Sequence, residues 1–153
     1  MMSNGSRNQS PMLFISLIEK YLNYFINQEV APLNFNRVQV EILGTLHFHP
    51  GITQNELGHY LLLDKIAVTK NLKPLLDRGY VQKVRDQEDR RFKKLYITSR
   101  GYSIGGDIKK VLQRANTVLL QDITPCEQEQ GQAFLQKAAR NIYREVHDEE
   151  LKW

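Results

Sequence analysis

Hydrophobic positions repeat every three or four residues along most of the chain, which predicts a mainly helical protein. The first such stretch runs from Pro11 to about Val30, with Ser10 as its N-terminal cap and a proline in the first helical position. Its apolar stripe is wider than one small core requires, so we expect part of this helix to face a second chain. A second helix begins after Asn36 and ends before Pro50-Gly51.

Two shorter helices follow, in the pattern of a helix-turn-helix. Thr53 and Glu56 have the spacing of a capping box, which begins the third helix. Asp64 caps the fourth helix, and Gly79 can adopt the left-handed backbone that ends it. Because only a few residues join the two helices, they must cross at a steep angle.

Beyond Gly79 the hydrophobic period shortens to two residues, which is typical of strands. The segments 80–84 and 92–97 both alternate in this way, and the charged stretch 85–91 separates them. These segments predict a β-hairpin with a basic tip.

The last part of the chain predicts two more helices. Thr98 or Ser99 caps a long one, in which Gly105-Gly106 predicts a bend or a close backbone contact. Thr124 and Glu127 form a capping box for the final helix. The fold class is therefore mainly α with a small β-hairpin (α+β).

Length and composition fit a single globular domain, residues 1–153. No apolar run approaches the roughly 20 residues that cross a bilayer, and the polar residues 1–10 lack the apolar centre of a secretory signal. We therefore expect a cytoplasmic protein with no membrane partner. The single cysteine, Cys126, cannot close an intramolecular disulfide or supply a cysteine-rich zinc site.

Positive charge is concentrated in one part of the sequence. The net charge is +4, yet residues 64–100 contain eleven Lys or Arg and only five Asp or Glu, a local excess of +6. The remainder holds ten basic and twelve acidic residues and is slightly acidic. A basic patch of this kind, on a helix followed directly by a hairpin, favours a nucleic-acid partner. A helix fits the DNA major groove, and a hairpin can reach the neighbouring minor groove.

Three segments of this basic region resemble the DNA-binding core of the MarR (multiple antibiotic resistance regulator) family. They are Gly51-Ile52-Thr53-Gln54-Asn55-Glu56-Leu57, Asp64-Lys65 with Val68-Thr69-Lys70, and Leu75-Leu76-Asp77-Arg78-Gly79-Tyr80-Val81. The hairpin adds Asp89-Arg90-Arg91, Leu95-Tyr96-Ile97-Thr98 and Gly101, which resemble the family's wing signature.

The resemblance implies a winged helix-turn-helix lobe over 33–101, flanked by dimerisation helices over 11–30 and 104–150. Such a homodimer places its two recognition helices in successive major grooves of a pseudo-palindromic operator in double-stranded DNA. The implied function is that of a transcriptional regulator. The family's usual task is repression that is relieved by a small amphipathic or phenolic effector or by oxidation.

The fourth helix corresponds to the family's recognition helix. Burial of Val68, Leu72 and Leu75 would leave six residues on or beside its DNA face: Lys65, Ile66, Ala67, Lys70, Asn71 and Lys73. We expect Lys70 and Asn71 to read base edges. The operator sequence does not transfer from the family, because Ile66-Ala67 stand where the family often has Ser-Thr. Pro74 also lies inside the helix, where it removes one backbone hydrogen bond.

In the wing, Arg91 matches the arginine that enters the minor groove, and Asp89 is placed to hold its guanidinium. Arg90 would contact phosphate or face solvent. The alternative for all three is a solvated hairpin tip. Thr53, Gln54 and Asn55 begin the third helix, where they would bind phosphate or serve only as a helix cap.

Other candidate sites are weaker. By location, the family's ligand pocket would include Phe14, Tyr21, His47 and Tyr102, which are equally good core residues. We predict no metal or cofactor, because neither the pair of His47 and His49 nor that of Glu56 and His59 forms a complete ligand set. The redox-sensing members of the family carry their cysteine in the first helix, which has none here. We therefore expect Cys126 to be a buried or incidental thiol.

Two other functional classes remain open at the level of sequence. The winged helix could be a protein-interaction or dimerisation module whose basic face only aids solubility, without direct operator binding. An enzyme is less favoured, because the sequence has no glycine-rich phosphate loop, no G-x-S-x-G motif and no Cys/His arrangement with recognisable spacing.

Overall fold

The computed structural model describes residues 10–87, 89 and 91–147. These residues form seven α-helices and one antiparallel hairpin: α1 (Pro11–Val30), α2 (Arg37–Phe48), α3 (Gln54–Leu61), α4 (Lys65–Asp77), β1 (Val81–Arg85), β2 (Lys93–Ile97), α5 (Ser99–Ser103), α6 (Gly105–Leu119) and α7 (Pro125–His147). A 3-10 turn at Ala31–Leu33 joins the first two helices. The mainly α fold with a β-hairpin wing is thereby confirmed.

The structure divides into two compact units, and the division falls between Ala115 and Asn116, within α6. The first unit contains α1 to α5, the hairpin and most of α6, whereas the second contains α7. The sequence predicted a single domain over 1–153. Among the described residues, no helix is both long and apolar enough to span a membrane.

Side chains cap most helices as the sequence predicted. The Asn36, Thr53 and Asp64 side chains accept hydrogen bonds from backbone N–H groups in the first turns of α2, α3 and α4, which satisfies donors that a helix leaves unpaired. The Thr124 hydroxyl likewise accepts from Glu127 N at 3.3 Å. Ser10 was expected to cap α1 and makes no such bond.

The long helix predicted after Thr98 is broken in two. Thr98 caps the short α5, which ends at Ser103, and α6 begins at Gly105. The interruption lies at Ile104, directly before the glycine pair, and the alternative of a close backbone contact is not found, because a Cβ on either glycine would meet no atom within 4 Å. The C-cap Ile104 has helical dihedrals, so the chain turns without leaving the right-handed region of the backbone map.

The hydrophobic core of the first unit lies where α2, α3, α4 and the hairpin meet the C-terminal end of α1. Its fully buried side chains include Val30, Ile42, Leu46, Leu57, Val68, Leu72, Leu75 and Leu95. Burial of a side chain of this size contributes about 1.5–3 kcal/mol to folding. The core therefore fixes α3 and α4 against the hairpin.

The hairpin is anchored to the helix-turn-helix by backbone hydrogen bonds. Val81 pairs with Ile97 and Arg85 with Lys93 at its two ends. On the other edge of β2, Leu95 N donates to Ile52 O and Gly51 N donates to Leu95 O, both at 2.9 Å. The segment that leads into α3 thus forms an isolated β-bridge with β2, from Thr53 to Lys94.

Two glycines that differ in their surroundings test this packing. A Cβ on Gly101 would lie 2.3 Å from the Tyr80 carbonyl oxygen, whereas a Cβ on Gly106 meets no atom within 4 Å. We expect Gly101→Ala to lower the free energy of unfolding by about 2 kcal/mol or more, because backbone must shift. Gly106→Ala should raise it by up to about 1 kcal/mol through helix propensity. Denaturant titrations of both variants measure the difference, and equal stabilities would contradict the close packing of α5 on Tyr80.

Candidate nucleic-acid interface

The two faces of α4 differ sharply in burial. Val68, Leu72 and Leu75 are 0–1% exposed, as predicted. The opposite face carries Lys65, Ile66, Lys70 and Lys73, all of which are exposed. Ala67 is half-buried, because it lies at the edge between the two faces and its N–H donates to the Asp64 carboxylate at 2.7 Å.

The cations of α4 are not equivalent. Lys73 forms an ion pair with Asp77 one turn later, with an N–O distance of 2.6 Å. Within the part of the chain that the structure describes, Lys65 and Lys70 form no ion pair. Their ammonium groups are therefore available to an external anion. Ile66, between them on the same face, is 80% exposed, which is unusual for an isoleucine.

Asn71 makes contacts that the sequence did not suggest. Its side-chain NH₂ donates to the Ala67 carbonyl oxygen at 2.9 Å, and its side-chain oxygen accepts from Asn36 Nδ2 at 3.0 Å. Asn36 is also the N-cap of α2, so the pair ties α4 to the start of another helix. The residue is half-buried and its amide is already occupied, which favours a positioning role over the base reading expected for it.

The start of α3 connects the helix-turn-helix with the wing. Gln54 Nε2 donates to Thr69 Oγ1 on α4, and Lys83 Nζ on β1 donates to Gln54 Oε1, each at 2.8 Å. One side chain therefore links three elements. The sequence indicates Gln54 as a phosphate contact or part of a helix cap. It does not indicate Thr69 or Lys83 as its partners, because these pairs are separated by 15 and 29 residues.

Thr53 and Asn55 flank Gln54 and differ from each other. Thr53 caps α3, and its N–H and hydroxyl donate to Glu56 Oε2 at 2.7 and 2.8 Å. These hydrogen bonds lower the pKa of Glu56 below its ordinary value. Asn55 is exposed and, with Lys65, lines a cavity of about 460 Å³ between α3 and α4. Thr53 thus has a structural partner, whereas Asn55 is open to solvent.

The wing arginine is held as the sequence predicted. Arg91 Nη2 lies 2.7 Å from Asp89 Oδ2, Arg91 Nε lies 3.0 Å from Asp89 Oδ1, and the Arg91 N–H donates to the same carboxylate. The side-chain hydrogen bonds lower the pKa of Asp89 and raise that of Arg91, so both groups stay charged. Arg91 is 85% exposed despite this bidentate contact, which leaves its guanidinium edge accessible. Arg90 lies outside the described residues.

Not all of the local positive charge is free. Arg78 donates to the carbonyl oxygens of Asn34 and Leu33, and its guanidinium stacks on the rings of Phe35 at 4.5 Å and Tyr80 at 4.8 Å. The hydrogen bonds of Arg78 therefore connect the turn between α1 and α2 to the end of α4. On the wing, Lys94 pairs with Asp86 at 2.7 Å.

Tyr80 lies between two arginines, because Arg100 also stacks on its ring, at 5.0 Å. Burial acts to raise the pKa of Tyr80, but hydrogen bonds and positive charge from Arg100 and Arg78 lower it below its ordinary value.

The residues expected to line an effector pocket are dispersed in this structure. Phe14 and Tyr21 are exposed on α1, whereas the His47 and Tyr102 rings contact each other edge to face at 6.0 Å. The cavity between α3 and α4, and a second one between α2 and α3, are lined by other residues.

Cys126 is exposed and accepts a hydrogen bond from Gln130 Nε2 at 3.6 Å, so it is not buried within the chain. Among the described residues, no cluster of three His, Cys, Asp or Glu side chains could hold a metal ion.

The role of Asn71 is testable against its neighbour Lys70. Asn71→Ala removes two partly buried hydrogen bonds and leaves Asn36 Nδ2 without its acceptor, so we expect the free energy of unfolding to fall by about 1 kcal/mol. Lys70→Ala, on the exposed face, should change it by less than about 0.5 kcal/mol. Chemical denaturation of both variants gives the answer. A loss no larger for Asn71 than for Lys70 would mean that the asparagine does not position α4.

Known proteins resemble this chain in both sequence and fold. The sequence model of the MarR family matches residues 33–91. A crystal structure of MarR is 31% identical, with a TM-score of 0.78, and the match covers 88% of this chain and 99% of that one. The uncharacterised HTH-type transcriptional regulator YybA of Bacillus subtilis (strain 168) is 28% identical over 131 residues, which are 86% of this chain and 87% of the relative.

A mutant MarR from E. coli, solved in complex with operator DNA, is 21% identical, with a TM-score of 0.76 over 89% of this chain and 98% of that one. This last likeness concerns the fold alone. The MarR crystal structure that is 31% identical matches 88% of this chain, so the similarity extends beyond the helix-turn-helix to the flanking helices. The chain belongs to the MarR family of winged helix-turn-helix transcriptional regulators.

Proposed function

We propose that the chain is a sequence-specific regulator that binds double-stranded DNA as a homodimer and represses transcription from a pseudo-palindromic operator. The observation that carries the proposal is the shared polar surface of α4 and the wing. The side-chain amide of Gln54 forms hydrogen bonds with Thr69, which is next to Lys70 on α4, and with Lys83 of the wing. The exposed face of α4 and the wing strand therefore lie side by side.

In this proposal α4 lies in the major groove. Its 13 residues span about 20 Å, and an α-helix fits a major groove about 12 Å wide. Lys65 and Lys70 supply charge for phosphate or guanine, and the exposed Ile66 supplies an apolar contact of the kind that reads a thymine methyl group. The E. coli MarR mutant in complex with operator DNA supports this assignment by its shared fold.

Arg91 of the wing is assigned to the minor groove. Its guanidinium is charged, exposed and oriented by Asp89, so little side-chain freedom remains to be lost on binding. Narrow minor grooves concentrate negative potential, which attracts such an arginine. Asn55 and the N-terminus of α3 are assigned to phosphate contact, which the exposure of Asn55 supports.

A homodimer is proposed because two long helices leave apolar side chains uncovered. In α1 only Ile26 and Val30 are buried, and the described part of α7 has no buried residue. Exposed apolar side chains include Phe14, Leu17 and Ile18 on α1 and Phe134, Leu135, Ile142 and Val146 on α7. Each of the two helices thus exposes an apolar face of its own, and exposed apolar patches typically mark interfaces between proteins.

We also propose a response to a small amphipathic or phenolic effector. Phe14, Tyr21, His47 and Tyr102 are its proposed contacts, and the ring contact between His47 and Tyr102 supports part of this set. A second copy that covers α1 would enclose exposed aromatic rings of that helix, Phe14 and Tyr21 among them. The region would then meet the enclosure that small-molecule sites require.

Alanine variants in the two DNA-contacting elements test the proposal. Arg91→Ala should weaken binding to a duplex from upstream of the gene by about tenfold or more. Lys70→Ala should weaken it similarly and reduce the dependence of log K on log salt by about one unit. Lys109→Ala, an exposed lysine of α6, is the matched control and should bind like the parent.

The measurement is fluorescence anisotropy of the labelled duplex at several salt concentrations. Equal affinity for all three variants would contradict the assigned interface. Salt-insensitive binding to a protein, with no binding to any promoter fragment, would favour the interaction-module alternative.

A further inference from the structure

None of the described residues assigned to DNA or to the effector lines the shallow groove between α2 and α3, although its Phe48 ring contacts the ring of His47 edge to face at 5.0 Å. Its volume is about 350 Å³, within the usual range of small-molecule sites. The lining residues are Glu41, Gly44, Thr45, Phe48, His49, Tyr60 and Leu61. All belong to the first unit, and Tyr60 and Leu61 belong to α3, the helix whose N-terminus contributes to the proposed DNA interface.

The groove presents aromatic rings to solvent. Phe48 is 77% exposed and Tyr60 is 55% exposed, and the Tyr60 ring stacks on His49 with centroids 4.6 Å apart and planes 24° from parallel. Elsewhere in this chain arginines lie over the rings of Phe25, Phe35 and Tyr80. Among the described residues, no Lys or Arg side chain lies over Phe48 or Tyr60. His49 covers one face of the Tyr60 ring. The other face of Tyr60 and the exposed ring of Phe48 are therefore open to a cation from outside.

The charge of the groove is negative, which suits a cationic ligand. Glu41 is its one acidic residue, and no Lys or Arg lines it, although the protein as a whole is basic. Arg37 approaches Glu41 at 2.8 Å but also pairs with Glu19 at 3.5 Å. Two carboxylates thus share one guanidinium, so Glu41 and its ion-pair partners carry a net negative charge at one end of the groove.

Gly44 and Thr45, on the floor of the groove, offer a ligand few hydrogen-bonding groups. Gly44 has no side chain, and a Cβ there would meet nothing within 4 Å. The Thr45 hydroxyl already donates to the Glu41 carbonyl oxygen at 2.8 Å. Recognition would therefore depend on charge and ring contact, which suit a cation without N–H donors.

We propose that this groove binds an organic monovalent cation with an apolar or aromatic body, such as a quaternary ammonium compound. The ammonium lies against Tyr60 and Phe48, and the body lies over Gly44 and Leu61. Glu41, at the other end of the groove, contributes a negative potential that favours a cation over an anion. An anionic phenolic compound is disfavoured here, because it would meet Glu41 with the same sign of charge. The site adjoins the pocket proposed around His47 and Tyr102 but has different lining residues, and it stands whether or not the chain binds DNA.

The test uses the full chain and benzyltrimethylammonium as the probe, with benzyl alcohol and benzoate as neutral and anionic counterparts. Backbone amide chemical shifts, followed by NMR during titration, report where each compound binds. We expect the cation to shift Gly44, Thr45 and Tyr60, with an affinity at least about fivefold above that of benzyl alcohol. Benzoate should leave these amides unchanged.

Variants separate charge from shape. Glu41→Gln keeps an oxygen that can accept from Arg37 but removes the charge, and Tyr60→Leu removes the ring. Each should weaken cation binding by about threefold or more. The matched controls Glu129→Gln on α7 and Tyr24→Leu on α1 change exposed residues outside the groove and should bind like the parent.

Three results would overturn the proposal: no shift at the groove, equal or tighter binding of benzoate, or unchanged affinity in both groove variants. Unchanged circular dichroism spectra confirm that a lost affinity is not lost folding. DNA binding is measured separately on the same samples, so failure of this site is distinguishable from failure of the proposed function.

Discussion

Burial of one face of α4 is the constraint on which the rest of the structure depends. Val68, Leu72 and Leu75 are removed almost completely from water, and each contributes about 1.5–3 kcal/mol in this position. A helix cannot rotate without exposing such a stripe. The orientation of Lys65, Ile66 and Lys70 toward solvent therefore follows from the packing on the other side, and it does not require any contact of their own.

Burial does not fix the position of α4 along its axis or its distance from the wing. Polar contacts fix both. Asn71 and Asn36 tie the helix to the start of α2, and Gln54 ties it to β1. Each bond is modest, because folding exchanges protein contacts for contacts with water. Together they couple α4, α3 and the hairpin, so the two proposed DNA-contacting elements are held as one preorganised surface.

Much of this arrangement could be predicted from local sequence. Caps at Asn36, Thr53 and Asp64 and the change of period after Gly79 depend on neighbouring residues, and each is found in the structure. The bidentate contact between Asp89 and Arg91 was also local, two residues apart. Patterns of this range are visible in a single sequence because the partners lie within one turn or one hairpin tip.

Contacts between distant residues could not be predicted. Asn71 adjoins the exposed face of α4, and this position favoured the prediction that it reads bases. Its partner Asn36 is 35 residues away, so the contact between the two side chains leaves no local pattern in the sequence. Arg78 counted toward the basic patch, whereas its guanidinium binds the turn before α2, more than 40 residues earlier.

The central claim is that paired copies present α4 and the wing at the spacing of DNA grooves. Selection from a pool of random-sequence duplexes, followed by sequencing of the bound fraction, tests it without the need for a defined operator. The account predicts an enriched inverted repeat whose half-site centres lie about 10 base pairs apart, one turn of the double helix. Enrichment of a single unrepeated element, or no enrichment at all, would contradict it.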